Sequence, residues 1–250
     1  MPDRYRMLAP YYDIFIDWER RLRTEMPFLL EASGVRWKRE ARVLDIGCGT
    51  GRHLAGFAQA GCQVEGLEPS LQLRRIAEST LPGAPIHSWG MGGLGRLARK
   101  RGPWDLILCL GNTLAHLPPS RLDSFCRNLL TAAGAGGKVV LHLLNYDRIL
   151  SLRPSQMPVK TLQHDGAQWS FTRSYTYHES SLDFKLEVFR DGTKLAEDVE
   201  KHYPLTGERL ETALRTAGFG NICFLGAFDL NVPFTAECGD LVALLSSGTA

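Results

Sequence analysis

Nowhere does this 250-residue chain approach the roughly eighteen consecutive apolar residues of a membrane-spanning helix. Its first residues, Met1 to Arg6, also lack the apolar core of a secretory leader, so a cytoplasmic protein is expected. Cysteine is sparse and unpaired in pattern. Cys48, Cys62, Cys109, Cys126, Cys223 and Cys238 contain no Cys-x-x-Cys spacing and read as small reduced core residues rather than disulfides or zinc ligands. The seven histidines are scattered, and no metal site is expected. A dominant charge is missing too: 29 Lys and Arg against 27 Asp and Glu leave a net charge of +2, short of the positive field of a dedicated nucleic-acid binder. The local basic runs are Arg20, Arg21 and Arg23, then Arg36, Lys38 and Arg39, then Arg99, Lys100 and Arg101. They read as solvated helix faces and ends.

What is present is a core of ample size, with 44% hydrophobic residues, and one concentrated motif. Arg42 to Ile46 reads as a buried parallel strand with Asp45 as its polar member. Gly47, Gly49 and Gly51 follow, allowing positive φ and close approach of a ligand where a Cβ would intrude. From Arg52 the pattern becomes helical, with Leu54, Phe57 and Ala58 on one side and Gly61 as the stop. Strand, glycine loop and helix make the ligand-binding corner of a doubly wound α/β sheet. The spacing is Gly-x-Gly-x-Gly, which disfavours a dinucleotide. A second apolar run, Gln63 to Leu67, ends in Glu68, a carboxylate placed to accept from ribose hydroxyls.

The run Leu44-Asp45-Ile46-Gly47-Cys48-Gly49-Thr50-Gly51, with Glu68 at the second strand tip, resembles the class I S-adenosylmethionine-dependent methyltransferases. The resemblance implies a Rossmann-like sheet of about seven strands that binds S-adenosylmethionine and releases S-adenosylhomocysteine. It implies that Gly47, Cys48, Gly49 and Gly51 pass the methionine part of the cofactor, that Glu68 holds the ribose, and that Asp45 supports the loop or the amino group. Trp89-Gly90-Met91-Gly92-Gly93-Leu94 stands where such enzymes carry Gly-Asp-Met-x-x-Leu. Met91 would then pack on adenine, while Gly90 replaces the acid that reads the adenine amino group. Leu110 and Tyr12 complete the implied cofactor set.

The rest of the pattern places an acceptor side opposite the glycine loop. A helical lead-in over Leu8 to Ala32 carries Tyr11, Tyr12, Phe15 and Trp18, suited either to packing on the sheet or to a lid over a flat ligand. Strands are expected near Ala84 to Ser88, Asp105 to Leu110, Lys138 to Leu144, Ile222 to Phe228 and Asp240 to Leu245. Ser120 is placed to cap a helix over Arg121 to Thr131. Alternation in Trp169 to Tyr177 and Leu182 to Phe189, before the turn signal Asp191-Gly192, predicts an inserted antiparallel β subdomain. The expected organisation is 1–156 for the N-terminal helices and cofactor core, 157–204 for an insertion covering the acceptor, and 205–250 for the return to the core.

Cys109 to Pro118, Asn145 to Ser151 and Tyr203-Pro204 look like the glycine and sarcosine N-methyltransferase branch. That resemblance implies that Asn112 touches the acceptor, His116 sits beside the cofactor and Tyr203 lines the acceptor pocket. The glycine enzymes carry an arginine before Asn-Tyr-Asp to grip the substrate carboxylate, and here that position is Leu144. The loss of a charge-assisted contact worth about 1.5 to 3 kcal/mol argues for an acceptor other than glycine, N- or O-methylated. His116 and His142 are candidate bases for a hydroxyl acceptor, and Tyr146 can orient an acceptor. Two other functions remain open: a methyltransferase acting on RNA or protein, and a non-catalytic binder of S-adenosylmethionine or S-adenosylhomocysteine. The oligomeric state is undetermined.

Overall fold

The computed structural model describes residues 5–34 and 40–247, so the basic run Arg36, Lys38 and Arg39 lies outside the described residues. The predicted lead-in helix is divided. A 3-10 turn, Ala9–Tyr11, passes into α1 (Tyr12–Phe15), and α2 (Trp18–Ala32) starts anew. The break falls at Ile16, which is extended, and Asp17 then caps α2 by accepting the Arg20 N–H at 3.1 Å.

Alternating strands and helices follow: β1 (Arg42–Ile46), α3 (Arg52–Gln59), β2 (Gln63–Leu67), α4 (Leu71–Thr80), β3 (Ile86–His87), α5 (Leu94–Arg101) and β4 (Leu106–Cys109). After them come α6 (Leu122–Ala133), β5 (Lys138–Leu144) and α7 (Tyr146–Leu152). Ser120 does not cap α6; it lies inside a 3-10 turn, Pro119–Arg121, that leads into the helix. The chain then forms β6 (Lys160–His164), β7 (Ala167–Tyr177), β8 (Leu182–Arg190) and β9 (Thr193–His202), and closes with α8 (Gly207–Ala217), β10 (Phe219–Leu225) and β11 (Asp240–Ser247).

Seven strands form one sheet in the order β10-β11-β5-β4-β1-β2-β3. The five strands from β3 to β5 are parallel, and β11 runs antiparallel to both its neighbours. Both faces are covered, as a parallel sheet requires. Leu44, Ile46, Ile107, Cys109, Leu141 and Leu143 pack on one side with Phe125 and Leu129 of α6. Val43, Leu106, Leu108 and Val140 pack on the other with Phe28, Leu29, Leu54 and Phe57. This two-sided burial explains why the central strands read as continuous apolar runs. The order reverses between β1 and β4, and the crevice at their carboxyl ends is where such sheets bind ligands.

β6 to β9 form a separate antiparallel sheet in sequence order. Two of its turns are Asp-Gly pairs with positive φ at both residues, Asp165 and Gly166 at 49° and 72°, Asp191 and Gly192 at 48° and 79°, as tight primed hairpin turns require. The outer strands, β6 and β9, were not resolved as strands by the sequence pattern, because they are mostly exposed and polar, the usual protection of a sheet edge. One face packs Trp169, Phe171, Leu186 and Val188 against Leu8, Tyr11, Ile14 and Phe15 of the N-terminal segment. Phe15 and Phe171 have ring centroids 5.2 Å apart. Phe171 is fully buried, so Phe171→Ala is expected to cost about 3 to 5 kcal/mol of stability, measured by urea unfolding.

Candidate active site

The glycine loop leaves β1 with Gly47, Gly49 and Gly51 at φ of 74°, 57° and 78°. A Cβ on Gly47 would stand 2.5 Å from Thr113 Cγ2, so the loop and the segment after β4 meet where only glycine fits. The Gly47 and Cys48 N–H groups donate to the Leu67 carbonyl at 2.7 and 3.1 Å, tying the loop to the tip of β2. Cys48 contributes backbone alone to the loop. Its side chain is buried in the core and abuts Gly66, and burial holds its thiol well above the ordinary range. Leu110 is likewise buried in that core.

Two carboxylates lie under this loop. Glu68 accepts from the Gly49 N–H at 2.9 Å and the Ser70 N–H at 2.8 Å, bridging the loop to the start of α4. Asp45, at the tip of β1, is 2% exposed and its Oδ1 is buried without a hydrogen-bond partner. Burial, then the neighbouring charge of Glu68, pushes the Asp45 carboxyl up to about 7, while Arg21 opposes the rise. Arg21 was not singled out as a site residue from sequence. Its guanidinium lies 3.7 Å from the position a Cβ would take on Gly111, and it bonds Glu25 at 2.7 Å. Burial alone would raise the Glu25 carboxyl, but the 2.6 Å bond with His53 and the Arg21 charge hold it below its ordinary value.

The four lead-in aromatics divide their roles. Tyr11 packs on Trp169 and Phe15 on Phe171, so these two anchor the N-terminal segment to the four-stranded sheet. Tyr12 faces the glycine loop, 3.6 Å from the position of a Gly49 Cβ, and burial pushes its hydroxyl up to about 12. Asp13 fastens this cover: it accepts from Thr50 Oγ1 at 2.7 Å, Trp18 Nε1 at 2.7 Å and Arg52 Nη2 at 2.6 Å. A lone aspartate among aromatics carried no sequence signal for this role. At the other end of the crevice Met91 opens a 3-10 turn and is half-buried, with Trp89 stacked on His87 at 5.5 Å.

Across from the loop, a chain of polar side chains joins the two sheets. Asn112 Oδ1 accepts the Leu144 N–H at 3.2 Å, which directs its amide nitrogen to donate to Tyr146 Oη at 2.9 Å. Tyr146 Oη, accepting from Asn112, also lies within hydrogen-bond distance of His202 Nδ1, at 3.3 Å. His202 is stacked on Phe184 and stands edge-on to His116, with ring centroids 4.8 Å apart. His116 Nε2 lies 2.9 Å from Tyr5 Oη and its Nδ1 is 3.8 Å from Glu200 Oε2. The structure therefore brings Asn112 and His116 together and adds Tyr5, Glu200 and His202. Alternation along β9 put Glu200 and His202 on one face, the single hint in the sequence. Tyr203 enters by its backbone, its N–H donating to the Ala115 carbonyl at 2.7 Å, and it is half-buried. His142 Nδ1 accepts from the Gly111 N–H at 3.2 Å, while Nε2 is buried without a hydrogen bond and lies 3.2 Å from Asp240 Oδ1. Tyr175 Oη is buried without a hydrogen-bond partner.

Residues 17–223 match a family model described as a methyltransferase domain. The chain is 35% identical over 100 residues to dTDP-4-amino-2,3,4,6-tetradeoxy-D-glucose N,N-dimethyltransferase of Saccharopolyspora spinosa, a match covering 40% of this chain and 39% of that protein. It is 29% identical over 126 residues to human glycine N-methyltransferase, covering 44% and 43%. These matches thus span about two fifths of the curated relatives' length. A structure of an S-adenosylmethionine-dependent methyltransferase from Clostridium acetobutylicum superposes with a TM-score of 0.77, at 16% identity, over 98% of this chain and 99% of that one.

Asp45 yields a prediction independent of any ligand. Because its folded value of about 7 lies above the ordinary 3.8, the folded state keeps the proton that the unfolded state has lost. The contribution of Asp45 to stability is therefore full below about pH 4 and is lost as pH rises to about 7. The loss is on the order of 2 to 4 kcal/mol. Asp45→Asn should flatten this slope and be more stable than wild type at pH 8 in denaturant titrations.

Proposed function

Because the chain belongs to the methyltransferase-domain family, as a class I S-adenosylmethionine-dependent member, we propose that it transfers the methyl group of S-adenosylmethionine to a small-molecule acceptor. The observation that carries this reading is Asp45: a buried, unpartnered carboxylate oxygen beneath a glycine loop is a site for a cation or donor supplied by a ligand. The amino group of the cofactor is such a donor. Arg21 complements it by facing the cofactor's carboxylate, Glu68 accepts from the ribose, and Tyr12 closes the loop from above. Met91 lies against adenine, with Gly90 leaving its amino group without a protein carboxylate.

The sulfonium supplies an electrophilic methyl, so the protein's share of the chemistry is alignment and exclusion of water. The acceptor we propose is an amine of the amino-sugar class, with no carboxylate beside the reacting nitrogen. Leu144 offers no charge to a carboxylate, and the adjoining chain of Asn112, Tyr146 and His202 presents dipoles. The Tyr175 hydroxyl is a further polar group awaiting a partner. The relative from Saccharopolyspora is named for an amino-sugar reaction. Asn112 Oδ1 retains a lone pair to accept one amine N–H, which turns the nitrogen lone pair toward the methyl. A neutral amine needs no base before transfer. The proton released afterwards is taken up at His116, whose Nδ1 faces Glu200. The four-stranded sheet and the segment 157–204 serve to cover this acceptor.

Calorimetric titration with S-adenosylmethionine and S-adenosylhomocysteine tests the cofactor assignment. Micromolar binding is expected, weakened about tenfold or more (~1.4 kcal/mol) by Glu68→Ala. Affinity should rise between pH 6 and 8 as Asp45 ionises, and Asp45→Asn should remove the rise. No binding by wild type would refute the reading, and binding without turnover across an amino-sugar panel would leave a cofactor-binding protein that is not an enzyme for this class. Gly90 has an ordinary φ of −86°, and a Cβ there would stand 3.7 Å from Pro69. Gly90→Asp is accordingly expected to tighten cofactor binding by roughly twofold to tenfold, one net hydrogen bond.

A further inference from the structure

The outer side of the N-terminal cover forms a second concavity that the methyl-transfer reading does not use. This cleft of about 610 Å³ lies between Ala9 and Pro10, the first residue of α3 and the outward face of α4. Its volume is that of a small-molecule pocket. Three arginines line it, Arg6, Arg52 and Arg75, and no carboxylate does. In a chain whose acids and bases nearly balance, this concentration is local. Arg52 is bonded to Asp13 at 2.6 Å. Arg6 and Arg75 have no hydrogen bond or ion pair among the described residues, whereas their neighbour on α4, Arg74, is paired with Glu78 at 3.6 Å. Gln72 and the exposed Ser79 supply further donors, while Thr80 spends its hydroxyl proton on the Ile76 carbonyl. None of Asp45, Glu68, Met91 or the three loop glycines touches the cleft, so it is not the cofactor crevice.

Uncompensated guanidinium groups around one concavity repel one another and draw in an anion. Guanidinium forks match phosphate oxygens two at a time, so the two uncompensated ones, Arg6 and Arg75, suit two linked phosphate groups, with Gln72 and Ser79 as further donors. We infer that this cleft binds the diphosphate of a phosphate-bearing small molecule, with Arg6 and Arg75 as its principal ligands. The wall formed by Ala9 and Pro10 continues directly into Tyr12, which lies over Gly49. An occupant of the cleft therefore holds down the same segment that covers the cofactor, and the two ligands bind together. The inference stands on the cleft itself and does not depend on the methyl-transfer reading.

The test is calorimetric titration of wild-type protein, Arg75→Ala and the Arg6→Ala, Arg75→Ala double variant with pyrophosphate and with uridine diphosphate, at constant ionic strength set with sodium chloride. S-adenosylhomocysteine is titrated into each as a check on folding, and thermal unfolding checks it where that ligand does not bind. Wild type is expected to bind, the single variant to lose about tenfold and the double variant about a hundredfold. The midpoints of unfolding should stay within a degree or two. Equal affinity for the two probes means that the phosphates alone are read, and tighter binding of uridine diphosphate means a nucleotide-borne diphosphate; either supports the site. No binding by wild type, equal binding by all three proteins, or displacement of S-adenosylhomocysteine by uridine diphosphate overturns it. Failure of S-adenosylhomocysteine to bind any of the proteins counts against the cofactor assignment and leaves the diphosphate result to stand by itself.

Discussion

Everything around the crevice is arranged about two carboxylates that are kept out of water at adjacent strand tips. Burying such groups is expensive unless their oxygens are satisfied. Glu68 is satisfied by backbone N–H groups of the glycine loop and of the start of α4. Asp45 is left with an open oxygen and a carboxyl that holds its proton unusually well. The contrast divides the labour: one carboxylate shapes the loop, and the other is held in readiness at a cost in stability, the pattern expected where binding energy is to be gained from a ligand.

The cover over this crevice is a composite. Its aromatic residues do not all face the ligand side, because Tyr11 and Phe15 are consumed in packing against Trp169 and Phe171. That packing positions Tyr12 over Gly49, and Asp13 locks the same turn to Thr50 and Arg52. The four-stranded sheet thereby reaches the glycine loop through the N-terminal segment and the Asn112 side of the crevice through Glu200 and His202. The two sides are joined through Tyr5, which reaches His116 with its hydroxyl and meets Tyr12 edge-on at 6.1 Å.

The hydrogen-bonded chain from Leu144 to His202 has a defined direction because its first member is a backbone N–H, which can only donate. Asn112 must then turn its amide nitrogen toward Tyr146, whose hydroxyl oxygen also lies 3.3 Å from His202 Nδ1. With Leu144 contributing only its backbone N–H here, this row of side chains presents dipoles rather than a fixed positive charge.

The parallel core, the glycine loop and both carboxylates were legible in the residue order, since short apolar runs, φ-permissive glycines and strand-tip acids are local signals. The class of cofactor followed from that local run. The hairpin strands β7 and β8 were legible by alternation, but β6 and β9 were hidden by the polar character of edge strands. The split among the lead-in aromatics and the roles of Asp13 and Arg21 were decided by tertiary structure alone. Each depends on a partner more than twenty residues away in the chain or on a choice between two faces of a short element. A single sequence records which groups are available, and packing determines which of them meet.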